Sequence, residues 1–309
     1  MRFKGLVLLF CVVVSANVQA QKAGIWSPNA ADLVRLSNLN DALEMLGDTA
    51  LHGRSEMMRT VASQRMIDSM SLVLAAPNSF NYFFECLSTV SVVYPPDSTF
   101  RVFTWQVYID QEHYQQYGIL QRNTAEPNFF VLTDKSDVFD VLPRTEQLDA
   151  QNWLGALYYN VYPFKVGQQT AYLLFGLDSY SYWSRRKMIE VLTFAPDGSP
   201  VFGLPVFDIT GNKWSRFWIE YSAYSSARLN FDTEENKIVF DYLQSVPRPD
   251  GQGDMMTPDG TYEAFELRKG TWKYIEKLPI TPMETAPNYR NAKPETRDII
   301  GKKKKGTTK

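Results

Sequence analysis

The fold is decided by one stretch rich in aromatic and β-branched residues, residues 158–207, which reads YYNVYPFKVGQQTAYLLFGLDSYSYWSRRKMIEVLTFAPDGSPVFGLPVF. Short apolar blocks alternate there with turn residues, as is typical of strands joined in hairpins. The Asp197-Gly198 pair favours a tight turn of this kind. We therefore predict two hairpins in the middle of an antiparallel fold, formed by residues 154–164 with 170–177 and by residues 187–194 with 200–207.

Strand patterns continue on both sides of this stretch. Residues 99–109 place Phe103, Trp105 and Val107 at alternate positions, which indicates a half-buried strand. Further strands are predicted over residues 114–122, 128–133, 216–223, 227–231, 237–243, 261–268 and 271–278. A tyrosine- and serine-rich segment at 180–184 resembles another at 221–225, so a propeller-like repeat stays open beside a meander sandwich or barrel.

The N-terminal part has a different pattern. Apolar residues recur at helical spacing from Ser27 to Gly47 and from Ser55 to Ala76, which predicts two helices. The predicted fold class is therefore mainly β with N-terminal helices. The predicted divisions are a signal peptide (1–20), a helical region (21–95), an antiparallel β-domain (96–279, with a possible sub-boundary at 134–151) and an extended basic tail (280–309).

The first twenty residues have the features of an export signal. Arg2 and Lys4 precede an apolar run, and Val18 and Ala20 supply small residues at the −3 and −1 positions of a cleavage site before Gln21. No later run approaches the roughly 20 apolar residues that cross a bilayer. We expect an exported protein in the periplasm, on the cell surface or secreted, without a membrane span after signal cleavage.

Charge is distributed unevenly along the chain. The last twenty residues contain eight basic and two acidic side chains, whereas residues 21–289 contain 22 basic and 32 acidic ones. Because protein surfaces that bind nucleic acid are basic, the acidic body argues against a nucleic-acid partner. The lysine run at 302–305 is predicted to be a solvated tail.

Few residues suited to metal or nucleophilic chemistry remain after signal cleavage. The mature chain has Cys86, His52 and His113, which cannot form a zinc site of His and Cys ligands. No recognised catalytic or nucleotide-binding motif is present. We therefore predict no catalytic residue, cofactor or metal site. Cys86 is predicted to pack in the core, and residues 250–260 are predicted to form a flexible surface loop.

Three carboxylates interrupt otherwise apolar strands: Glu190, Glu220 and Asp241. Strand alternation predicts that each faces solvent. The alternative is that two of them face each other across a cleft, as in a carbohydrate-active hydrolase, because a glycosidase needs such a pair and places no constraint on its sequence spacing.

The aromatic loops offer a candidate binding surface. Rings interleaved with serines and flanked by arginines combine flat apolar faces with adaptable hydrogen bonding, which suits a glycan, a peptide or a partner protein. Packing of the rings between sheets is the alternative. The candidate ligand-binding residues are Tyr180, Tyr182, Trp183, Arg185, Tyr221 and Tyr224.

Several longer sequence segments, spread over about residues 99–278, are similar to segments of other proteins. They are TWQVYIDQEHYQQYGILQ, LGALYYNVYPF, YLLFGLD, RRKMIEVLTF, PVFGLPVF, NKIVFDYL and PDGTYEAFELRKGTWKYIEKL. Together they resemble a group of exported, β-rich bacterial proteins of unknown function. The resemblance implies export and a β-rich body, and it implies no site residue. The expected function is a non-catalytic binding or assembly protein of the bacterial cell envelope, with an envelope protein or a glycan as partner.

Overall fold

Two helices precede fifteen strands in the part of the chain that the structure describes. This computed structural model describes residues 30–139, 141–248, 250–251 and 253–278, so the predicted signal peptide and basic tail lie outside the described residues. The helices are α1 (Ala30–His52) and α2 (Glu56–Leu74). Ser55 begins α2 because its hydroxyl accepts a hydrogen bond from the Met58 amide at 3.2 Å. Within the described residues, neither helix is long and apolar enough to cross a membrane.

The strands form three sheets. The first sheet has the order β1 (Ser91–Val93), β2 (Phe100–Asp110), β3 (His113–Arg122), β4 (Phe129–Thr133). The central sheet has the order β11 (Arg216–Ser222), β7 (Ser184–Phe194), β6 (Gln169–Asp178), β5 (Leu157–Val166), with β8 (Pro200–Phe202) paired to β7. The third sheet has the order β10 (Asn212–Trp214), β9 (Phe207–Ile209), β15 (Thr271–Ile275), β14 (Asp254–Arg268), β13 (Lys237–Pro247), β12 (Leu229–Asp232).

The central sheet is buried on both faces. Leu173 and Phe175 pack into the core shared with the third sheet, whereas Tyr172 and Leu174 pack into the core shared with the first sheet. Because successive side chains of a strand point to opposite faces, burial of both faces gives the continuous apolar run at 172–175. The two helices cover the other face of the first sheet, so the layers follow the order helices, first sheet, central sheet, third sheet.

The predicted fold class is confirmed. The structure is mainly β with two helices near the N-terminus, and its neighbouring strands are antiparallel except for the β9–β15 pair. The sheets stack as in a sandwich, and no sheet of the described residues closes into a barrel. The two predicted hairpins of residues 154–207 supply most of the central sheet.

One predicted strand is divided. Residues 200–207 were expected to be continuous, but β8 belongs to the central sheet and β9 to the third. Gly203 turns the chain between them with a φ of +100°, in the region that favours glycine. A Cβ at Gly203 would lie 2.6 Å from the Glu146 carbonyl oxygen and 2.7 Å from Nη2 of Arg216. The chain therefore crosses between sheets at this point.

The prediction of a flexible loop over residues 250–260 is wrong for most of that segment. β14 begins at Asp254, and its first residues pair with the end of β13 in the register Val246 to Met255 and Leu243 to Pro258. Neither β12 nor β15 pairs with this part of the hairpin. We refer to the described residues of 243–248 and 253–258 as the projecting hairpin, because they extend beyond the neighbouring strands.

The prediction that Glu190 and Asp241 face solvent is also wrong. The Glu190 side chain is fully buried between the first and central sheets, and Asp241 is buried where its carboxylate accepts from the Arg228 backbone amide. Arg216 lies directly across from Glu190 in the β7–β11 register, and its Nε donates to Oε1 of Glu190 at 2.9 Å. The cross-strand arginine compensates the buried charge, which is what permits an inward carboxylate here.

The predicted burial of Cys86 is only partly realised. Its side chain packs at the edge of the helix-covered core and is partly buried. Its Sγ lies 3.4 Å from Oδ1 of Asn40 in α1. This partial burial raises the pKa of the Cys86 thiol, which disfavours the reactive thiolate.

Removing one partner of the Glu190–Arg216 pair should be far more costly than removing both. We expect Glu190→Leu to lower the free energy of unfolding by about 3–5 kcal/mol, because the buried Arg216 loses its counter-charge. Glu190→Leu combined with Arg216→Met should recover most of that loss. Urea unfolding monitored by tryptophan fluorescence measures both effects. The control is Glu235→Leu at the exposed Glu235–Lys237 pair, which should cost less than about 1 kcal/mol.

Candidate ligand-binding site

The candidate aromatic residues lie at one end of the central sheet, where hydrogen bonds hold the loop between β6 and β7. The Tyr182 amide donates to the Gln111 carbonyl at 2.7 Å, which ties the loop to the β2–β3 turn. The Ala223 amide donates to the Trp183 carbonyl at 2.8 Å, which ties it to the end of β11. The loop is therefore fixed on both sides.

Trp183 and Tyr224 form one wall of an open cleft. Their ring centroids are 6.1 Å apart, and the Trp183 and Tyr224 residues are 37% and 67% exposed. Met255 and Met256 of the projecting hairpin also line this cleft. The cleft has a volume of about 480 Å³ and a mainly apolar lining, and we refer to it as the aromatic cleft.

Charged groups surround the aromatic cleft, and each has a partner. The Arg248 guanidinium lies 4.5 Å from the Trp183 ring centroid and pairs with Asp250 at 2.6 Å. Asp254 accepts from the Ser245 hydroxyl at 2.8 Å. Arg248 thus connects the projecting hairpin to Trp183 through a cation–π contact, which is worth about 0.5–1 kcal/mol at an exposed site.

The structure distributes the six predicted residues over different environments. Trp183, Tyr221 and Tyr224 line the aromatic cleft, although most of the Tyr221 ring is packed between the central and third sheets. Tyr182 stays exposed and packs edge-on against Trp183. The Arg185 guanidinium turns into the loop, where it donates to the Ser179 and Ser181 carbonyls at 3.0 and 3.1 Å. Arg185 therefore holds the loop in place.

Tyr180 points to a second cleft on the other side of the loop. This cleft has a volume of about 490 Å³ and a mainly polar lining, and we refer to it as the polar cleft. At its centre, Arg186 stacks on the Tyr180 ring at 3.9 Å and lies between Asp178 and Glu220, at 3.8 and 3.1 Å. On its wall, the Arg144 guanidinium is stacked between Trp214 and Trp218 at 3.9 and 4.3 Å.

Asp178 has the most perturbed acidity in the polar cleft. Burial raises its pKa to about 6, and the nearby Asp134 adds to the increase, while the Tyr180 amide, Arg186 and Gln116 oppose it. Gln116 connects the two acids, because its backbone amide donates to Asp134 and its side-chain amide to Asp178, at 2.9 and 3.1 Å. Burial also raises the pKa of Asp134.

The sequence analysis did not predict the projecting hairpin or the stacking of Arg144 and Arg186 on aromatic rings. Pro258 and Gly260 made residues 250–260 look like a loop and concealed the strand that carries Met255 and Met256. The adjacent methionines were the available signal, because methionine is common on adaptable binding surfaces. Arg144 lies within the possible sub-boundary predicted at 134–151, and its stacking depends on contacts distant in sequence. Among the described residues, no group of three or more His, Cys, Asp or Glu could hold a metal ion.

The raised pKa of Asp178 predicts a pH-dependent contribution to stability. The folded state holds this proton more tightly than the unfolded chain, so stability is lost as pH rises from about 4 to about 6. The variant Asp178→Asn cannot lose this proton, so its stability should not fall over that pH range for this reason. We expect the difference in unfolding free energy, variant minus wild type, to increase by up to about 3 kcal/mol as pH rises from 4 to 7. Urea titrations at several pH values test this, and a constant difference would contradict it.

Comparisons with known proteins add no assignment to this site. No family model matches the chain. No curated protein and no solved structure matches it significantly either.

Proposed function

We propose that the chain is an exported, non-catalytic binding protein of the bacterial cell envelope whose ligand occupies the aromatic cleft. The observation that carries this proposal is the placement of Trp183 and Tyr224, which stand side by side and partly exposed in a cleft that Met255 and Met256 of the projecting hairpin also line. Large aromatic side chains that remain accessible in a concave, mainly apolar site are typical of ligand-binding surfaces.

The construction of the cleft supports binding. One wall is preorganised by backbone hydrogen bonds from the Tyr182 and Ala223 amides, so little conformational freedom is lost there when a ligand arrives. The methionine side chains that also line the cleft are flexible and adjust to the shape of an apolar group. Fixed aromatic rings together with adaptable methionines suit a ligand that offers a flat apolar face.

The proposed location in the cell envelope rests on the sequence of residues 1–20. A basic start, a short apolar run and small residues before Gln21 are the signals that export machinery uses. An envelope location gives access to envelope proteins and glycans, which are the two partner classes that we consider.

The carbohydrate-active hydrolase is the weaker alternative. It required two of Glu190, Glu220 and Asp241 to face each other across a cleft, at a separation of about 5–10 Å. Glu190 is enclosed and bound by Arg216 and the Tyr158 hydroxyl, and Asp241 is buried against the backbone of Arg228. Glu220 is the one acid of the three that lines either cleft. These positions favour binding over hydrolysis by these acids.

Truncating the exposed rings should remove ligand binding without unfolding the protein. We expect Trp183→Ala to weaken binding about thirtyfold, which corresponds to the roughly 2 kcal/mol cost of losing a binding hot spot. Tyr224→Ala should act in the same direction. The measurement is quantitative capture of envelope proteins and envelope glycans on the immobilised mature chain, followed by titration of whatever is retained.

The matched control for this experiment is Tyr242→Ala. Tyr242 is a tyrosine of β13 that is 45% exposed and does not line the aromatic cleft, so its truncation should leave capture unchanged. Equal capture by wild type, Trp183→Ala and Tyr224→Ala would refute the proposed site. Circular dichroism and unfolding midpoints establish that each variant is folded.

A further inference from the structure

The aromatic cleft and the polar cleft share a wall. Glu220 lines both of them, and the loop between β6 and β7 places Trp183 in one and Tyr180 in the other. The two clefts are of similar volume, about 480 and 490 Å³. The clefts therefore adjoin at Glu220, on the edge strand β11 of the central sheet, and a ligand that occupies both would pass over this residue.

The lining of the polar cleft is rich in charged hydrogen-bonding groups of both signs. Arg186 pairs with both Asp178 and Glu220, so the three side chains present carboxylate oxygens and guanidinium N–H groups together. Four acids and two arginines, Arg144 and Arg186, line the cleft, so its net negative charge is unfavourable for a polyanion. A neutral ligand with many hydroxyl groups fits this arrangement best, because each hydroxyl both donates and accepts.

A polar atom at this centre has no partner. Nε of Arg186 is buried and makes no hydrogen bond to any of the described residues. The Arg186 residue is 9% exposed and lines the cleft. A buried donor left unsatisfied is unfavourable, so such an atom in a native structure calls for an explanation. Occupation of the polar cleft by a ligand that reorders Arg186 would supply a partner.

We propose that the two clefts form one groove that binds a neutral oligosaccharide chain. One sugar ring stacks on Trp183 and Tyr224, and the hydroxyl groups of sugars further along the chain bind Asp178, Arg186 and Glu220. This inference rests on the proposed binding function and specifies its ligand class. An extended peptide is disfavoured because the polar groups at the centre are carboxylates and a guanidinium, whereas an added peptide strand is recognised mainly by main-chain groups.

An oligosaccharide that fills both clefts should bind more tightly than one that fills a single cleft. Once its first sugar is bound, the rest of the chain meets the second cleft at a high effective concentration. We therefore expect at least a tenfold gain in affinity from a disaccharide to the corresponding hexasaccharide. The aromatic contact should contribute at every chain length, whereas Asp178, which lines only the polar cleft of the two, should contribute only to the gain.

The experiment is calorimetric titration of the mature chain with disaccharides and hexasaccharides of the cello-, malto-, chito- and manno- series. In at least one series, we expect the tenfold gain for wild type, its loss in Asp178→Asn and in Glu220→Gln, and weaker binding at both lengths in Trp183→Ala. Glu235→Gln, an exposed acid outside both clefts, is the control and should behave as wild type. Unfolding midpoints show that the Asp178 variant is folded.

Three results would overturn the inference. They are no binding of any of these oligosaccharides, an affinity that does not depend on chain length, and a length gain that survives both acid substitutions. If capture from envelope material still depends on Trp183 and Tyr224 while the oligosaccharide series is flat, the aromatic cleft stands as a binding site and its ligand is of another class, such as a peptide. If capture is insensitive to both rings, the proposed function itself fails.

Discussion

Burial of both faces of the central sheet is the constraint on which the rest of the structure depends. A sheet with two buried faces needs a layer on each side, and the first and third sheets supply these layers. The first sheet then has its own second face to cover, which explains why the helices pack there. A polar side chain in such a sheet must find its partner inside the protein, because water cannot reach it.

The Glu190–Arg216 pair meets this requirement and also positions the site. Arg216 reaches beyond Glu190 to the Pro143 and Phe202 carbonyls, so one side chain joins β11, β7 and the segment that precedes β5. β11 begins at Arg216 and ends at Ser222, immediately before the turn that carries Tyr224. The fixed start of this strand therefore determines where Tyr224 meets Trp183 at the opposite end.

The sequence alone locates most strands, but it does not show which residues of different strands come into contact. Apolar blocks and turn residues locate strands such as β6 and β7, because those signals are local. The inward direction of Glu190 depends on Arg216, which is 26 residues away in the chain and becomes its neighbour only through the β7–β11 register. For the same reason the sequence predicted the rings Trp183 and Tyr224, but not the methionines that the projecting hairpin brings into the same cleft.

The position of the two clefts follows from the way the sheets end. The core between the central and third sheets closes around residues such as Tyr221, and beyond it the projecting hairpin continues without a neighbouring strand. At this end of the sheets the Arg248 guanidinium of the projecting hairpin covers part of Trp183, and the residue remains 37% exposed. On the other face, Asp178 at the end of β6 is buried enough to hold its proton up to a pH of about 6, yet it still borders the polar cleft. The same termination of the layers therefore produces an apolar surface on one side of Glu220 and a polar one on the other.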